Sequence, residues 1–214
     1  MQMKITVFGA TGGIGGHVVR QALDAGHHVT AVVRDRSQFE LRHPALEVVR
    51  VPGLTEPGPL TPALDGNNAV ISGVGPRGRK DGPVATDATR GILHAIEAAD
   101  VRRFVAVSAA PVVRPPDGDS FINRRLLWPF ITTFLRDTYA DLAEMERLVR
   151  QSTTEWTVVR PPKLTDKALT RTYRTALGTN VPRGYSISRA DTAHAILAAL
   201  NDPATIKQAI GVAY

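Results

Sequence analysis

The apolar residues of this chain keep two rhythms. Ile5, Val7 and Phe8 form a β-type run that breaks into glycines at 9, 12, 13, 15 and 16, and Val18, Val19, Ala22 and Leu23 follow at helical spacing. The opening therefore reads as strand, tight turn, helix, with Gly26 ending the helix in C-cap fashion. Residues 28–33 alternate and then run apolar, as a buried parallel strand does. Further strands are predicted over 46–51, 68–72, 103–108, 155–162 and 208–213, with 169–176 as a strand or extended loop. A stripe of Ala88, Ile92, Leu93, Ile96 and Ala99 predicts a helix over 85–99. Others are expected at 60–64, 139–151 and 192–200, the last with Ser188 as N-cap and Asp191 as capping-box acid. Asp35 stands where an N-cap is wanted, ahead of Gln38 and Phe39.

The first turn carries the clearest chemistry. Its glycines are spaced Gly-x-x-Gly-x-x-Gly at 9, 12 and 15. At such a junction Gly9 permits the turn, Gly12 lets the backbone approach a pyrophosphate, and Gly15 allows close helix–sheet contact. Phosphates placed there meet the free N–H groups and the positive dipole end of the helix. A merely flexible turn would use the same glycines.

Gly9-Ala-Thr-Gly-Gly-Ile-Gly15, in the first strand-to-helix turn, resembles the atypical short-chain dehydrogenase/reductases, in the branch of the NmrA-like proteins and the biliverdin/flavin reductases. The resemblance runs along nearly the whole chain. It is carried further by Arg103-Phe-Val-Ala-Val-Ser108, by Glu155-Trp-Thr-Val-Val-Arg-Pro-Pro162 and by Ser186-Ile-Ser-Arg-Ala-Asp191. It implies an α/β fold with a doubly wound parallel sheet, the NAD(P)-binding Rossmann fold, as a single domain over 1–214. The cofactor contacts it implies come from Gly9, Thr11, Gly12, Gly13, Ile14 and Gly15, from Gly75, Pro76 and Arg77, and from Ser108 and Pro161. Ser108 would lie beside the nicotinamide, where a strand-end serine that only satisfies backbone groups is the simpler alternative. The family's Gly-Asp after the third strand is replaced by Pro52-Gly53, which leaves the adenine to backbone groups or Leu54.

The end of the second strand is where the adenosine ribose of a dinucleotide sits. An acid there favours the free 2′-hydroxyl and an arginine the 2′-phosphate. Arg34 is the first residue past that strand, and its planar fork can pair with phosphate and stack on adenine, so NADP(H) is the expected cofactor. Asp35 competes as a ribose ligand. When the sequence is aligned on its sixth strand and on Glu146, the catalytic Tyr-x-x-x-Lys of the short-chain reductases falls on Thr138 and Leu142. The lysine is absent, and Tyr139 is one place off, with Ala143 four residues later. Ser108 and Tyr139 are thus the catalytic candidates, without the usual set for protonating a carbonyl oxygen.

Composition narrows the partners. The chain has 214 residues, 43% of them hydrophobic, enough for a substantial core, and no cysteine, which excludes disulfides and thiolate chemistry. A net charge of +6 raises nucleic acid as a partner, but lysines occur only at 4, 80, 163, 167 and 207 and the arginines are scattered rather than clustered. Neither nucleic acid nor a membrane is expected, and the six histidines form no metal pattern. Residues 119–137 hold the most apolar stretch, too short and too basic to cross a bilayer, and are read as a cap beside the nicotinamide or a subunit interface. A cytoplasmic monomer or homodimer is expected. Two functions suit the residues: an NADPH-dependent reductase passing hydride to a planar acceptor of flavin, quinone or tetrapyrrole type, or an NmrA-like NADP(H)-binding redox sensor without turnover.

Overall fold

The computed structural model describes residues 2–76, 81–116, 119–122, 125–126 and 128–214. Among the described residues there are ten strands: β1 (Lys4–Phe8), β2 (His28–Arg34), β3 (Leu46–Val51), β4 (Ala69–Ser72), β5 (Arg103–Val107), β6 (Glu155–Arg160), β7 (Lys163–Thr165), β8 (Arg174–Leu177), β9 (Ser186–Ser188) and β10 (Gln208–Ala213). Eight of them form one sheet in the order β3-β2-β1-β4-β5-β6-β10-β8, while β7 and β9 pair separately. The first six strands of the sheet and β10 run parallel, and β8 joins the edge antiparallel to β10. This is the doubly wound arrangement, with the order of strand addition reversing between β1 and β4.

Helices α1 (Gly13–Asp24) and α5 (Arg189–Leu200) pack together on one face, and α2 (Val84–Ala98) and α4 (Arg136–Gln151) on the other; α3 (Trp128–Phe134) packs on α4. Alternation along the strands feeds both layers. Ile5, Val7, Val29 and Val105 point into the α1/α5 side, and Phe8, Val32, Phe104 and Val158 into the α2/α4 side. Strands buried on both faces have no polar stripe to keep, which is why they read as near-continuous apolar runs.

One predicted element is missing. No helix follows Asp35: residues 37–43 are irregular. The carbonyls of Asp35 and Ser37, which a helix would give to its own N–H groups, accept from Nη1 of Arg50 at 3.2 and 3.1 Å. Phe39 and Leu41 are instead pinned as side chains on the α1/α5 core. Strands β7 and β9, three residues each, are too short to show a period in sequence.

Two buried carboxylates tie the C-terminal half together. The Asp191 side chain accepts from Ser188 Oγ, Tyr214 Oη, Thr170 N and Oγ1, and Arg171 N, so it joins the start of α5 to the 170–171 loop and to Tyr214. Burial pushes this carboxyl up, but its donors more than offset that and hold it below the ordinary aspartate range. Glu146 of α4 makes a fork-to-fork pair with Arg160 at the end of β6, through Nε–Oε1 at 2.8 Å and Nη2–Oε2, and also accepts from Arg150 at 3.1 Å. Both members are 3% exposed. Burial again raises the Glu146 carboxyl, and Arg160, with smaller help from Ser108 and Arg150, brings it below its ordinary value.

This pair generates a pH-dependent prediction. A carboxyl depressed by folding stabilises fully above the ordinary glutamate value of about 4.3 and loses that stabilisation as pH falls through its lower folded value. Glu146→Gln strands a buried guanidinium and should cost about 3–5 kcal/mol at pH 7 in urea denaturation. The two unfolding curves should converge on acidification. A gap that stays constant down to pH 3 would show that the ionised pair is not the source.

Candidate functional site

A groove of about 1140 Å3 opens at the carboxyl ends of the strands, around the point where β1 parts from β2 and β4. Its floor is the first turn. Gly9 has φ +77°, which side-chain-bearing residues rarely adopt, and a β-carbon there would press on the Gly73 backbone at 2.8 Å. A β-carbon on Gly15 would collide with the Gly9 carbonyl. Gly12 differs: its φ of −84° is ordinary, and a β-carbon would meet only the Gly9 carbonyl, at 3.1 Å. No side chain caps α1, and its first-turn N–H groups have no partner within the helix, so an arriving anion could take them.

Gly9, Thr11, Gly12, Gly13, Ile14, Arg34, Gly75 and Pro76 all line this groove, and Gly15 is buried beneath it. Arg77 lies outside the described residues. Arg34 is exposed and makes neither an ion pair nor a side-chain hydrogen bond among the described residues. With Thr11 and Pro52 it also borders an adjoining cavity of about 790 Å3 that contains Asp35, Arg36, Ser37 and Gln38. Pro52, Gly53, Leu54 and Thr55 form one wall. That wall is fixed by Gly91 of α2, whose missing side chain lets the helix touch the carbonyls of Leu54 and Thr55.

Ser108 and Pro161 stand at the ends of β5 and β6 and are not among the lining residues. The Ser108 N–H donates to the Val159 carbonyl at 2.8 Å, and Ala110 N to the Pro161 carbonyl at 2.9 Å. The Ser108 hydroxyl is buried and makes no hydrogen bond, although it lies near enough to the Glu146 carboxylate to favour its ionised form. Asn180 is similar: its Nδ2 donates to the Ala110 carbonyl at 2.8 Å while its buried Oδ1 has no partner. Tyr139 belongs to the first turn of α4, which begins three residues earlier than the sequence suggests. It packs against the α2/α4 core, and burial pushes its phenol above the usual tyrosine value.

Within 119–137, no described residue lines the groove. Ile122, Leu126, Phe130 and Phe134, every fourth residue, are 54–70% exposed, and the segment is anchored by Trp128 Nε1 on the Val113 carbonyl at 3.2 Å. No described helix is long and apolar enough to cross a membrane, and no group of metal-ligating side chains occurs among the described residues.

Sequence reasoning missed Arg189. Its side chain lies across Gly13, with Cδ 2.5 Å from where a β-carbon on that glycine would stand, and its Nη1 pairs with Asp166 at 2.6 Å. The signal was available, since a cation in a helix's first turn opposes the dipole and calls for a compensating role. Leu164 of β7 lines the groove beside it.

Known structures repeat this fold. The chain is similar to a short-chain dehydrogenase/reductase from Veillonella parvula in complex with NADP, with a TM-score of 0.82 and 20% identity over 100% of this chain and 95% of that one. It is similar to a candidate NADH-flavin reductase from Streptococcus pneumoniae, at 0.80 and 23% over 99% of each. In sequence it is 31% identical over 110 residues to the photosystem II assembly factor Ycf39 of Synechocystis, covering 50% of this chain and spanning only 33% of the length of that curated relative. With residues 9–203 matching the family as a whole, glycine turn and all, this chain belongs to the NAD(P)H-binding family of Rossmann-fold proteins.

Proposed function

We propose that the chain is an NADPH-dependent reductase that passes hydride to a planar acceptor of flavin, quinone or tetrapyrrole type. The groove suits the dinucleotide in its donors and its space. The first-turn N–H groups of α1 and the open face of Gly12 would hold the pyrophosphate, Arg34 the 2′-phosphate, and Pro52–Thr55 the adenine. Gly75 and Pro76 border the path toward Ser108, whose unpartnered hydroxyl would hydrogen-bond the carboxamide or the acceptor; Arg77 and Pro161 complete the proposed contacts. Bound there, NADPH supplies the hydride.

The observation that carries the reading is the state of the groups where a short-chain reductase keeps its proton donor. Tyr139 is half-buried with its phenol pushed up, no lysine occurs in α4, and Glu146 is locked to Arg160. A ketone needs an acid at its oxygen, whereas a flavin or quinone can take its proton from solvent after hydride arrives. The similarity to a protein described as a candidate NADH-flavin reductase supports the same acceptor class. The exposed stripe of Ile122, Leu126, Phe130 and Phe134 favours one second reading, a dinucleotide-binding sensor that presents this face to a protein partner.

NADPH should bind about tenfold or more tightly than NADH, as a charge-assisted phosphate contact implies, and Arg34→Ala should erase the preference. Calorimetry giving equal affinities in the unmodified protein would refute the role of Arg34. Gly12→Val should abolish binding of both cofactors and keep a native circular dichroism spectrum, because its backbone angles suit any residue while its side chain fills the phosphate space. Retained micromolar binding would make the glycine merely structural. In stopped flow with free flavins, quinones and tetrapyrroles, NADPH should be oxidised well above background and secondary alcohols should not react. NADPH bound but never consumed would leave the sensor reading.

A further inference from the structure

The Arg189–Asp166 pair is in an unusual place. Arg189 is the first residue of α5, where the helix dipole disfavours a cation, and its stem crosses Gly13, the first residue of α1. The lack of a side chain on Gly13 is what admits it. Its Nη1 is held by Asp166 at 2.6 Å, and the Asp166 side chain is 87% exposed, so the acid can turn away into solvent at little cost. Arg189 itself is a lining residue of the groove, next to the N–H groups of α1.

We propose that Arg189 is a further cofactor-positioning residue, which exchanges its Asp166 partner for the dinucleotide's pyrophosphate on binding. This rests on the cofactor reading above and adds a residue and a competition to it. Arg189 and the α1 N–H groups approach the same anion from two sides, so one ion pair is exchanged for another and no buried charge is left unmatched. Asp166 then acts as an internal competitor for the guanidinium, which lowers affinity until a phosphate displaces it. Arg34 serves the 2′-phosphate and Arg189 the pyrophosphate, and the two make separable contributions.

Calorimetric titration of full-length protein with NADPH and with 2′-AMP, which lacks the pyrophosphate, separates these roles. Arg189→Gln should weaken NADPH about tenfold or more while leaving 2′-AMP within twofold, and should melt near the unmodified protein. Asp166→Asn should tighten NADPH by about two- to fivefold, the value of an exposed ion pair, and this gain should vanish in the double variant. Arg189→Lys should recover part of the affinity. Unchanged NADPH affinity in Arg189→Gln, equal losses for both ligands, or an Asp166→Asn gain that survives without Arg189 would each overturn the proposal while the cofactor reading stands. Failure of the unmodified protein to bind either dinucleotide would overturn both.

Discussion

The close approach of three backbone segments at the top of β1 is the constraint on which the rest of the molecule depends. The end of β1, the start of α1 and the end of β4 meet without side chains between them: Gly9 lies against Gly73, and Gly15 against the carbonyl of Gly9. That contact draws the positive end of α1 down to the switch point of the sheet and sets the depth of the groove. Gly12 and Gly13 line the groove, where a β-carbon would meet the Gly9 carbonyl at 3.1 Å on the one and the Arg189 side chain on the other. Within this turn Gly9 and Gly15 close the fold's own packing, while Gly12 and Gly13 line the groove.

Charge is distributed to match. Arg34 has no ion pair among the described residues at one end of the groove, and Arg189 is paired with Asp166 beside the turn. At the other end, under β5 and β6, charge is abundant but spent internally, since Glu146 and Arg160 neutralise each other at full burial. Two of the arginines behind the net charge of +6 are thus placed on the groove itself rather than on a diffuse basic surface.

Most strands and helices were legible because burial on both sheet faces and amphipathic helices impose distinct periods. The glycine turn and Arg34 were legible because each sits at the carboxyl end of a strand, where position alone implies exposure at the groove, although Arg34 is the last residue of β2 rather than the first past it. Arg189 was hidden because its role comes from α5 packing beside α1, a contact between residues 13 and 189 that no local pattern encodes. The helix expected after Asp35 failed for a similar reason, as a distant arginine took its carbonyls. Residues 119–137 read as a cap or a subunit interface from their place after the fifth strand, and the fold adds that Ile122, Leu126, Phe130 and Phe134 are exposed.

The buried Glu146–Arg160 pair explains why the missing lysine matters less than it first suggests. In this chain α4 is fastened to β6 by charge, and the fastening depends on Glu146 remaining ionised. A carboxylate held this way has no proton to give near neutral pH, and the neighbouring Tyr139 phenol is a weaker acid than an exposed one. Restoring a lysine in α4 would add a cation beside an arginine that is already buried and matched. The architecture that fastens α4 to this half of the sheet is therefore the same one that leaves Glu146 without a proton to give.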